Sequence, residues 1–333
     1  MSKQSLSPDI IVQLAPEVVA QVHSSLLQWY QAEQRDLPWR STADPYAILV
    51  SEIMLQQTQV DRVLPKYQQF LAAFPTLTDL AQAYTADIIT VWVPLGYNRR
   101  AVSLQAIARQ VIAEYGGRIP DTIDELLKLK GIGRYTAGAI ACFAYGKQVA
   151  TVDTNIRRVL HRVFFGLELP EPKLNDAQML PLAEQVLPAA EAYHWNQALM
   201  DLGATFCTSS NPRCTDCPLQ ESCCASTEMK QHSLFPSGTV LRQLRKVAEK
   251  KAGYQARQVR QVQPYTSTNR YFRGRIVDLL RTQPAGQRVS LTELGLQIKP
   301  AFSQDELPWI QNLVDGLAKD GLLDCTIDGV RLP

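Results

Sequence analysis

Apolar residues along the first 265 positions recur mainly at intervals of three and four, whereas strict alternation is scarce. Intervals of three and four place side chains on one face of a helix, so the pattern predicts helices rather than strands. Short breaks at proline and glycine separate these segments, which favours a globular all-α body. Asp44 and Pro45 supply a cap and a first-turn proline for one helix, and Asp61 can cap the next. The predicted helices cover residues 44–57, 61–74, 78–83, 87–93, 99–115, 122–129, 133–145, 154–165, 176–187 and 195–206.

The C-terminal third of the chain has a different pattern. Residues 231–268 are polar and basic with few apolar anchors, which predicts a linker. Beyond it, helical periodicity covers 271–281, 290–298 and 305–319, and the closing segment LLDCTIDGVRLP predicts a small hairpin. Three helices and a hairpin are typical of a winged helix, a fold common in DNA-binding modules. A small packing domain without a nucleic-acid role is the alternative.

Composition and charge narrow the class of protein. The chain has 333 residues, enough for two or three domains with real cores, and a net charge of only +2. Any nucleic-acid affinity must therefore come from local patches, such as residues 240–281, where eleven Lys or Arg accompany two acids. A solvated linker and helix face would have the same composition. No apolar run reaches membrane-spanning length and the N-terminus lacks a leader pattern, so we expect a cytosolic chain without a membrane partner.

One carboxylate lies where apolar residues are expected. In YAILVSEIMLQQTQV, which begins at residue 46, Ile48, Glu52, Leu55 and Gln59 fall on one helical face. Desolvation raises the pKa of a carboxyl group toward neutrality, so Glu52 is a candidate proton donor or acceptor. A glutamate paired with a structural arginine is the alternative.

Residues 129–155, LKGIGRYTAGAIACFAYGKQVATVDTN, combine a glycine turn, a small-residue helix and a cap. Gly131 and Gly133 allow a tight turn, and the first N–H groups of the following helix suit a phosphate oxygen. Asp153 lies where a helix cap belongs, and unpaired N–H groups there favour its charged form. One acid kept protonated and another kept ionised is the division of roles that cleavage of a glycosidic bond requires. As a lone residue, Asp153 would be only a cap.

Seven cysteines in a cytosolic chain favour metal or redox use over disulfides. Four of them have the spacing C-x6-C-x2-C-x5-C in a loop-rich stretch and predict a metal centre. The spacing fits either tetrahedral zinc or a four-iron cluster, and the predicted ligands are Cys207, Cys214, Cys217 and Cys223. Cys224 could substitute as a ligand, although the spacing argues against it. Cys142 and Cys325 are predicted to be packing residues.

Four motifs in order, SEIMLQQTQV, the GxG hairpin, VDTN and the cysteine ladder, resemble the helix-hairpin-helix DNA glycosylases. The MutY-type adenine glycosylases are the most similar branch, over roughly residues 20 to 230. The resemblance implies an all-α helix-hairpin-helix fold with a six-helix barrel and a cluster domain, followed by the winged-helix-like α+β module. The implied domains are a tail at 1–16, a glycosylase domain at 17–230, a basic linker at 231–268 and a winged-helix-like domain at 269–333. Within the glycosylase domain, the barrel covers 44–149 and the cluster-bearing part covers 17–43 and 150–230.

By the same resemblance, Glu52 would protonate adenine N7 and then assist water attack, while Asp153 would stabilise the positive sugar. Tyr135 stands where the related bifunctional endonuclease III branch carries a lysine, so no Schiff base can form and the chain should be monofunctional. Asn155 would orient the catalytic groups. The cysteine ladder would hold a [4Fe–4S] cluster.

The resemblance also implies the DNA contacts. The target nucleotide would be flipped from double-stranded DNA containing mispaired adenine, by a monomer associated with the nucleoid. The hairpin of Gly131 and Gly133 would hold phosphates, with a monovalent cation bound there. Arg40 would line the base pocket, and Leu55, Gln57 and Tyr97 would wedge into the stack or probe the base left behind. Gln56 and Thr58 are also implied to contact DNA. A helix-end surface amide is the alternative for Gln57, and a core aromatic is the alternative for Tyr97.

The sequence departs from the family pattern at three places. It has PLGYN where GLGYY is common, Lys130 where proline is common, and no counterpart of the Nudix-like domain that inspects 8-oxoguanine. The expected activity is removal of adenine mispaired with 8-oxoguanine or guanine in base excision repair. A thymine or uracil mismatch glycosylase is the alternative within the class, and a non-catalytic iron–sulfur DNA-binding regulator is the alternative outside it.

Overall fold

The computed structural model describes residues 14–168, 174, 176–231, 264–284 and 286–333. In chain order its helices are α1 Pro16–Glu33, α2 Pro45–Leu55, α3 Val60–Ala73, α4 Leu77–Gln82, α5 Thr85–Trp92, α6 Arg99–Tyr115, α7 Ile123–Leu126, α8 Arg134–Phe143, α9 Thr154–Phe165, α10 Asp176–Gln185, α11 Ala192–Thr205, α12 Cys224–Gln231, α13 Asn269–Arg281, α14 Leu291–Ile298 and α15 Leu307–Lys319. Two short strands follow, β1 Asp324–Thr326 and β2 Gly329–Arg331. The predicted all-α class with a small C-terminal α+β module is therefore confirmed.

The described residues belong to two compact units. The first contains Met1–Ala43 and Arg134–Arg257, and the second contains Asp44–Gly133 and Gln258–Pro333. Most of the basic linker predicted for 231–268 and most of the N-terminal tail predicted for 1–16 lie outside the described residues. The domain boundaries proposed from the sequence stay a prediction.

In the first unit, α1, α9 and α11 share one apolar core. Helix α1 contributes Val22, Leu26 and Tyr30, which are spaced by four residues and so lie on one face. The sequence analysis did not predict α1, although Pro16 at its first turn is a start signal. It also did not predict α12, which begins at Cys224 directly after the cysteine ladder.

In the second unit, α2 is buried on all sides rather than on one stripe. Every residue from 46 to 54 is buried, so α2 is a central helix with α3 and α6 packed against it. Asp44 caps its start, as predicted, by accepting a hydrogen bond from the Tyr46 N–H at 3.0 Å. The helix ends at Leu55, so the expected helical face does not extend to Gln59, which precedes α3 instead. Asp61 lies in the first turn of α3 and is not its cap.

The C-terminal module, residues 264–333, has the predicted three helices and hairpin. Strands β1 and β2 pair antiparallel, with Cys325 opposite Val330. The core of the module includes Ile276, Leu313 and Val330, and Ile89 of α5 packs into the same cluster within this unit. Cys325 is exposed, so its prediction as a packing residue was wrong. Cys142 is buried in α8, as predicted.

None of the helices in the described ranges combines the length and the apolar composition needed to cross a membrane.

Candidate functional site

Glu52 is a buried carboxyl group in an apolar helix. Its residue is 5% exposed, and the neighbours on both sides, Ser51 and Ile53, are buried as well. It is the one ionisable acid in α2. An ionised carboxylate is costly to bury unless charged or hydrogen-bonding groups compensate it. A polar group kept in this position is therefore a candidate for chemistry.

Arg100 holds the end of α2 and the loop that follows. Its guanidinium donates hydrogen bonds to the carbonyls of Ile53 at 3.1 Å and Met54 at 2.9 Å. It also donates to the carbonyl of Gln56 and to Thr58 Oγ1. Burial lowers the pKa of Arg100 to about 10, which still leaves it charged at neutral pH. Arg100 was not predicted from the sequence, because the groups that it holds after α2 lie 42 or more positions away in the chain.

The loop after α2 and the loop before α6 each contain a strained residue. Gln57 has φ +55° and Tyr97 has φ +48°, both in the left-handed region that side-chain-bearing residues rarely adopt. Tyr97 is 45% exposed, so the alternative of a core aromatic was wrong. Its ring is approached by the guanidinium groups of Arg100 at 5.4 Å and Arg270 at 4.7 Å. Strained backbone clusters at binding and active sites, so these two loops are candidates for a binding surface.

The glycine hairpin has the tight turn that its sequence predicts. Gly131 has φ +106°, a conformation that favours glycine, and the Ile132 N–H donates to the Leu129 carbonyl at 3.0 Å. Ile132 is buried, which anchors the turn, while Gly131 and Gly133 are exposed. The chain then enters α8 at Arg134. Exposed glycines ahead of a helix leave backbone N–H groups accessible to an anion.

Asp153 caps α9 and begins a chain of polar contacts in the first unit. Its carboxylate accepts from the N–H groups of Asn155 at 2.9 Å and Ile156 at 2.7 Å, and from Asn155 Nδ2 at 3.1 Å. Asn155 Oδ1 accepts from Arg158 Nη2 at 2.8 Å, and Arg158 Nε donates to the Cys207 carbonyl at 2.7 Å. The network links the predicted catalytic aspartate to the first cysteine of the ladder. The sequence analysis did not single out Arg158.

The direction of the Asp153 pKa differs from the expectation. Burial raises the pKa of this carboxyl group above its ordinary value, and the two backbone N–H groups, Asn155 and Arg158 oppose that rise. The expectation that capping alone would favour the charged form was therefore incomplete, because it left out the desolvation of a half-buried group. Desolvation is the larger influence here.

Arg40 forms a buried ion pair in the first unit. Its Nη1 and Nη2 donate to the two carboxylate oxygens of Asp201, both at 2.8 Å, and its Nε donates to Gln197 at 2.9 Å. The Arg40 side chain is 7% exposed. This bidentate pair ties the short turn Pro38–Arg40 to α11. The sequence-based role of Arg40 in a base pocket stays a prediction, and the observed contacts give it a structural role.

Tyr135 lies in the first turn of α8, half-buried, with its hydroxyl 3.7 Å from the sulfur of Met200. The Tyr135 side chain carries no amine, so it cannot form a Schiff base in any surroundings.

The four predicted ligand cysteines line one cavity in the first unit, together with Arg162 and Met229. Arg162 Nη1 lies 3.6 Å from Cys207 Sγ. Burial, together with the neighbouring cysteines of the ladder, raises the pKa of the Cys217 and Cys223 thiols to about 12, although backbone hydrogen bonds from Leu219 and Ser226 oppose the rise. Cys224 is exposed and is not among the residues that line this cavity.

Across the residues that the structure describes, no group of three or more His, Cys, Asp or Glu side chains stands in an arrangement that could hold a metal ion as placed. The donor set nevertheless suits a metal centre in its chemistry, because four cysteine side chains line one cavity that is otherwise mainly apolar.

The predicted site residues therefore divide between the units. The second unit contains Glu52, Leu55, Gln56, Gln57, Thr58, Tyr97, Gly131 and Gly133. The first contains Arg40, Tyr135, Asp153, Asn155 and the four cysteines of the ladder. Leu55, Gln56 and Thr58 are half-buried, and Gln57 is exposed.

Comparisons with known proteins identify the family to which the chain is similar. Residues 50–184 match the HhH-GPD superfamily of base excision DNA repair proteins. The chain is 39% identical over 307 residues to an adenine DNA glycosylase of Mycolicibacterium smegmatis, covering 91% of this chain and 93% of the relative. It is 43% identical over 231 residues to an adenine DNA glycosylase of Homo sapiens, covering 67% of this chain and 42% of the relative. The structure of a thermostable thymine-DNA glycosylase is similar with a TM-score of 0.59 and 34% identity, covering 64% of this chain and 98% of that one.

Proposed function

The chain belongs to the adenine DNA glycosylases of the HhH-GPD base excision repair superfamily, and from that premise we propose that it hydrolyses the N-glycosidic bond of adenine mispaired with 8-oxoguanine or guanine in duplex DNA. The observation that carries the proposal is the buried carboxyl group of Glu52 within SEIMLQQTQV. An adenine is a poor leaving group until its ring is protonated, so the enzyme needs an acid near the base. Glu52 is the candidate for that acid.

In the proposed mechanism, Glu52 donates its proton to adenine N7. The C1′–N9 bond then breaks, its electron pair goes to the base, and positive charge develops on the sugar. The Glu52 carboxylate left behind next accepts a proton from the attacking water, which adds to C1′. An apolar helix supports the first step because desolvation favours the neutral carboxyl group.

Asp153 is proposed to stabilise the positive sugar as an anion. Its two backbone N–H donors and Asn155 support that role because they hold the carboxylate in one orientation. Arg158 supports that role indirectly, because it donates a hydrogen bond to Asn155 and its charge lowers the pKa of Asp153. We class Asn155 and Arg158 as positioning residues.

Tyr135 supports a monofunctional reaction. Cleavage of the DNA backbone by a related lyase proceeds through a Schiff base, which requires a primary amine as nucleophile. A phenol cannot form that adduct. Water is therefore the proposed nucleophile, and the product is an intact strand with an abasic site.

Duplex DNA is the proposed partner, and two surfaces of the second unit support it. The exposed hairpin of Gly131 and Gly133 offers backbone N–H groups to a phosphate, with a monovalent cation as an additional ligand of the turn. The strained Gln57 and Tyr97, with Leu55, Gln56 and Thr58, are proposed to enter the stack when the nucleotide is flipped.

A [4Fe–4S] cluster is the proposed metal centre, held by Cys207, Cys214, Cys217 and Cys223. The shared cavity supports this ligand set, and so does the exposure of Cys224 away from it. When bound, the cluster would supply structural cross-links between α11, the loop after it and α12. Arg162 would lie beside the first ligand, where its positive charge balances the thiolates.

The proposal is tested with a panel of duplexes under single-turnover conditions. We expect adenine release opposite 8-oxoguanine and guanine, no release from an A:T pair, and an intact backbone until alkali is added. Borohydride should trap no covalent complex. The similarity to a thymine-DNA glycosylase favours a second candidate, so T:G and U:G duplexes are included. Release of thymine or uracil without release of adenine would contradict the adenine glycosylase function and support a thymine or uracil mismatch glycosylase.

Replacing Arg158 by methionine is expected to move the acidic limb of the pH–rate profile to higher pH. The Arg158 charge lowers the pKa of Asp153, so its removal raises that pKa further above the ordinary value. A higher pKa means that the active anion is lost at a higher pH as the solution is acidified. The single-turnover rate of adenine release, measured across the acidic range, gives the shift.

Arg157→Met is the matched control, because Arg157 is adjacent on α9 and pairs with Glu168 at 4.0 Å. Its profile should keep the wild-type limb. If both variants have the same pH–rate profile as the wild type, the role of Arg158 as a positioning residue is contradicted.

A further inference from the structure

The cavity that the four ladder cysteines line also contains a serine with an unused hydroxyl group. Ser226 lines this cavity and is 2% exposed. Its hydroxyl is buried, and among the residues that the structure describes it has no hydrogen-bond partner. A hydroxyl buried without a partner destabilises a fold, so a native structure keeps one only where something compensates it. The position of Ser226 suggests what that partner is.

The backbone places Ser226 beside the sulfur of the last ladder cysteine. Helix α12 begins at Cys224, and the Thr227 N–H donates to the Cys223 carbonyl at 3.2 Å, so Cys223 is in the cap position. The first N–H groups of a helix have no partner within it, and a cap side chain accepts from the third residue. The Ser226 N–H accordingly donates to the Cys223 sulfur. Ser226 is therefore in contact with one of the proposed cluster ligands.

Hydrogen-bond donors accompany two other ladder sulfurs as well. The Leu219 N–H donates to the Cys217 sulfur. The Arg162 Nη1 lies 3.6 Å from the Cys207 sulfur. Such donors stabilise a thiolate more than a thiol, because the thiolate carries a negative charge. The cavity thus suits metal-bound thiolates, and the Ser226 hydroxyl is a further donor that no described cysteine uses.

The helix itself does not require a serine at this position. Alanine forms helices better than serine, and the preceding buried residue is Ala225. A serine inside a helix can donate to the carbonyl of the preceding turn, but the Ser226 hydroxyl has no such partner in the described chain. Serine differs from alanine only by its hydroxyl group. What it adds here is a hydrogen-bond donor in a mainly apolar cavity.

We propose that the Ser226 hydroxyl donates a hydrogen bond to a sulfur of the [4Fe–4S] cluster and thereby raises the reduction potential of that cluster. The inference rests on the cofactor named in the proposed function. A reduced cluster carries one more electron than an oxidised one, and its sulfurs share that charge, so a donor stabilises the reduced state more. A higher potential makes the cluster harder to oxidise. Ser226 is a positioning residue in this sense and not a catalytic one.

The test uses the full chain with its cluster and measures the reduction potential by voltammetry, together with iron content. Ser226→Ala removes the hydroxyl and leaves all four cysteines in place, so iron content should stay at the wild-type value. We expect the equilibrium constant for reduction of the cluster to fall about tenfold, which is about 59 mV for a one-electron couple. A residue with a purely structural role would not move the potential of a cluster that is fully loaded.

Thr227→Val is the matched control, because Thr227 is the next residue of α12, is exposed and does not line the cavity. Its hydroxyl donates to the Cys223 carbonyl at 3.4 Å, so the control removes a hydroxyl from the same turn but not from the cavity. It should keep the wild-type potential.

An unchanged potential in iron-loaded Ser226→Ala, or an equal fall in Thr227→Val, would overturn the inference and leave the proposed cofactor in place. Wild-type protein that contains zinc and no iron would overturn the cofactor and the inference together. Adenine release is measured on the same samples. If the wild type releases no adenine but Ser226→Ala alone lowers the potential, the proposed reaction fails and the role of Ser226 stands.

Discussion

Glu52→Gln is expected to reduce adenine release by about 10²–10⁴-fold, the usual contribution of general acid–base catalysis. Glutamine has the size and shape of glutamate but carries no carboxylic proton to donate to the purine. Because Glu52 is buried, we expect duplex affinity to stay within about threefold of wild type, since the change removes no exposed charge. Single-turnover excision and equilibrium binding to a mispaired duplex measure the two effects separately.

Ser51→Ala is the control for this substitution. Ser51 is buried beside Glu52, and its hydroxyl donates to the Ile48 carbonyl one turn earlier in α2. Loss of that hydrogen bond tests whether any polar change in this helix lowers the rate. Near-normal turnover of Glu52→Gln, or an equal loss in Ser51→Ala, would contradict the role of Glu52 as the acid.

Cys214→Ser is expected to give protein with little cluster and a lower thermal midpoint. A hydroxyl is a poor replacement for a thiolate on iron, so the cross-links that the cluster supplies to α11 and α12 are lost. We expect the free energy of unfolding to fall by about 3 kcal/mol, which is small compared with the binding free energy of structural metals. In a unit of this size, that loss corresponds to a thermal midpoint roughly 6–12 °C lower. Iron content, the brown absorbance band and a thermal scan measure the outcome.

Cys224→Ser is the matched control, since Cys224 adjoins the ladder but is exposed and lies outside its cavity. It should retain iron and the wild-type midpoint. Colourless wild-type protein that contains zinc would contradict the [4Fe–4S] assignment while leaving the four-cysteine ligand set in place. Equal iron content in both variants would contradict the ligand set itself.

Local signals in the sequence predicted the boundaries of several helices. The predicted bounds of α6 and α9 agree with the structure at both ends, and Asp153 is the cap of α9. Such agreement is expected, because a cap and a period of 3.6 act within one or two turns. Helix α1 was missed although Val22, Leu26 and Tyr30 recur every four residues and Pro16 marks its start.

Local sequence signals could not predict contacts between distant segments of the chain. Arg100 lies 42 positions or more from the carbonyls and the hydroxyl that it holds after α2, and nothing beside it in the chain indicates that role. Arg270 lies 173 positions from Tyr97 in the chain. Their contact therefore depends on how the C-terminal module packs within the second unit.

The sequence by itself determined the helical class, the caps of α2 and α9, the hairpin glycines, the cysteine spacing and the identity of the acids, because each depends on residue type and on intervals of a few residues. The tertiary structure decided how deeply Glu52 and Asp153 are desolvated and which distant backbone carbonyls Arg100 holds after α2. Desolvation and ion pairing depend on every group that the folded chain brings near, and those groups come from segments far apart in the sequence.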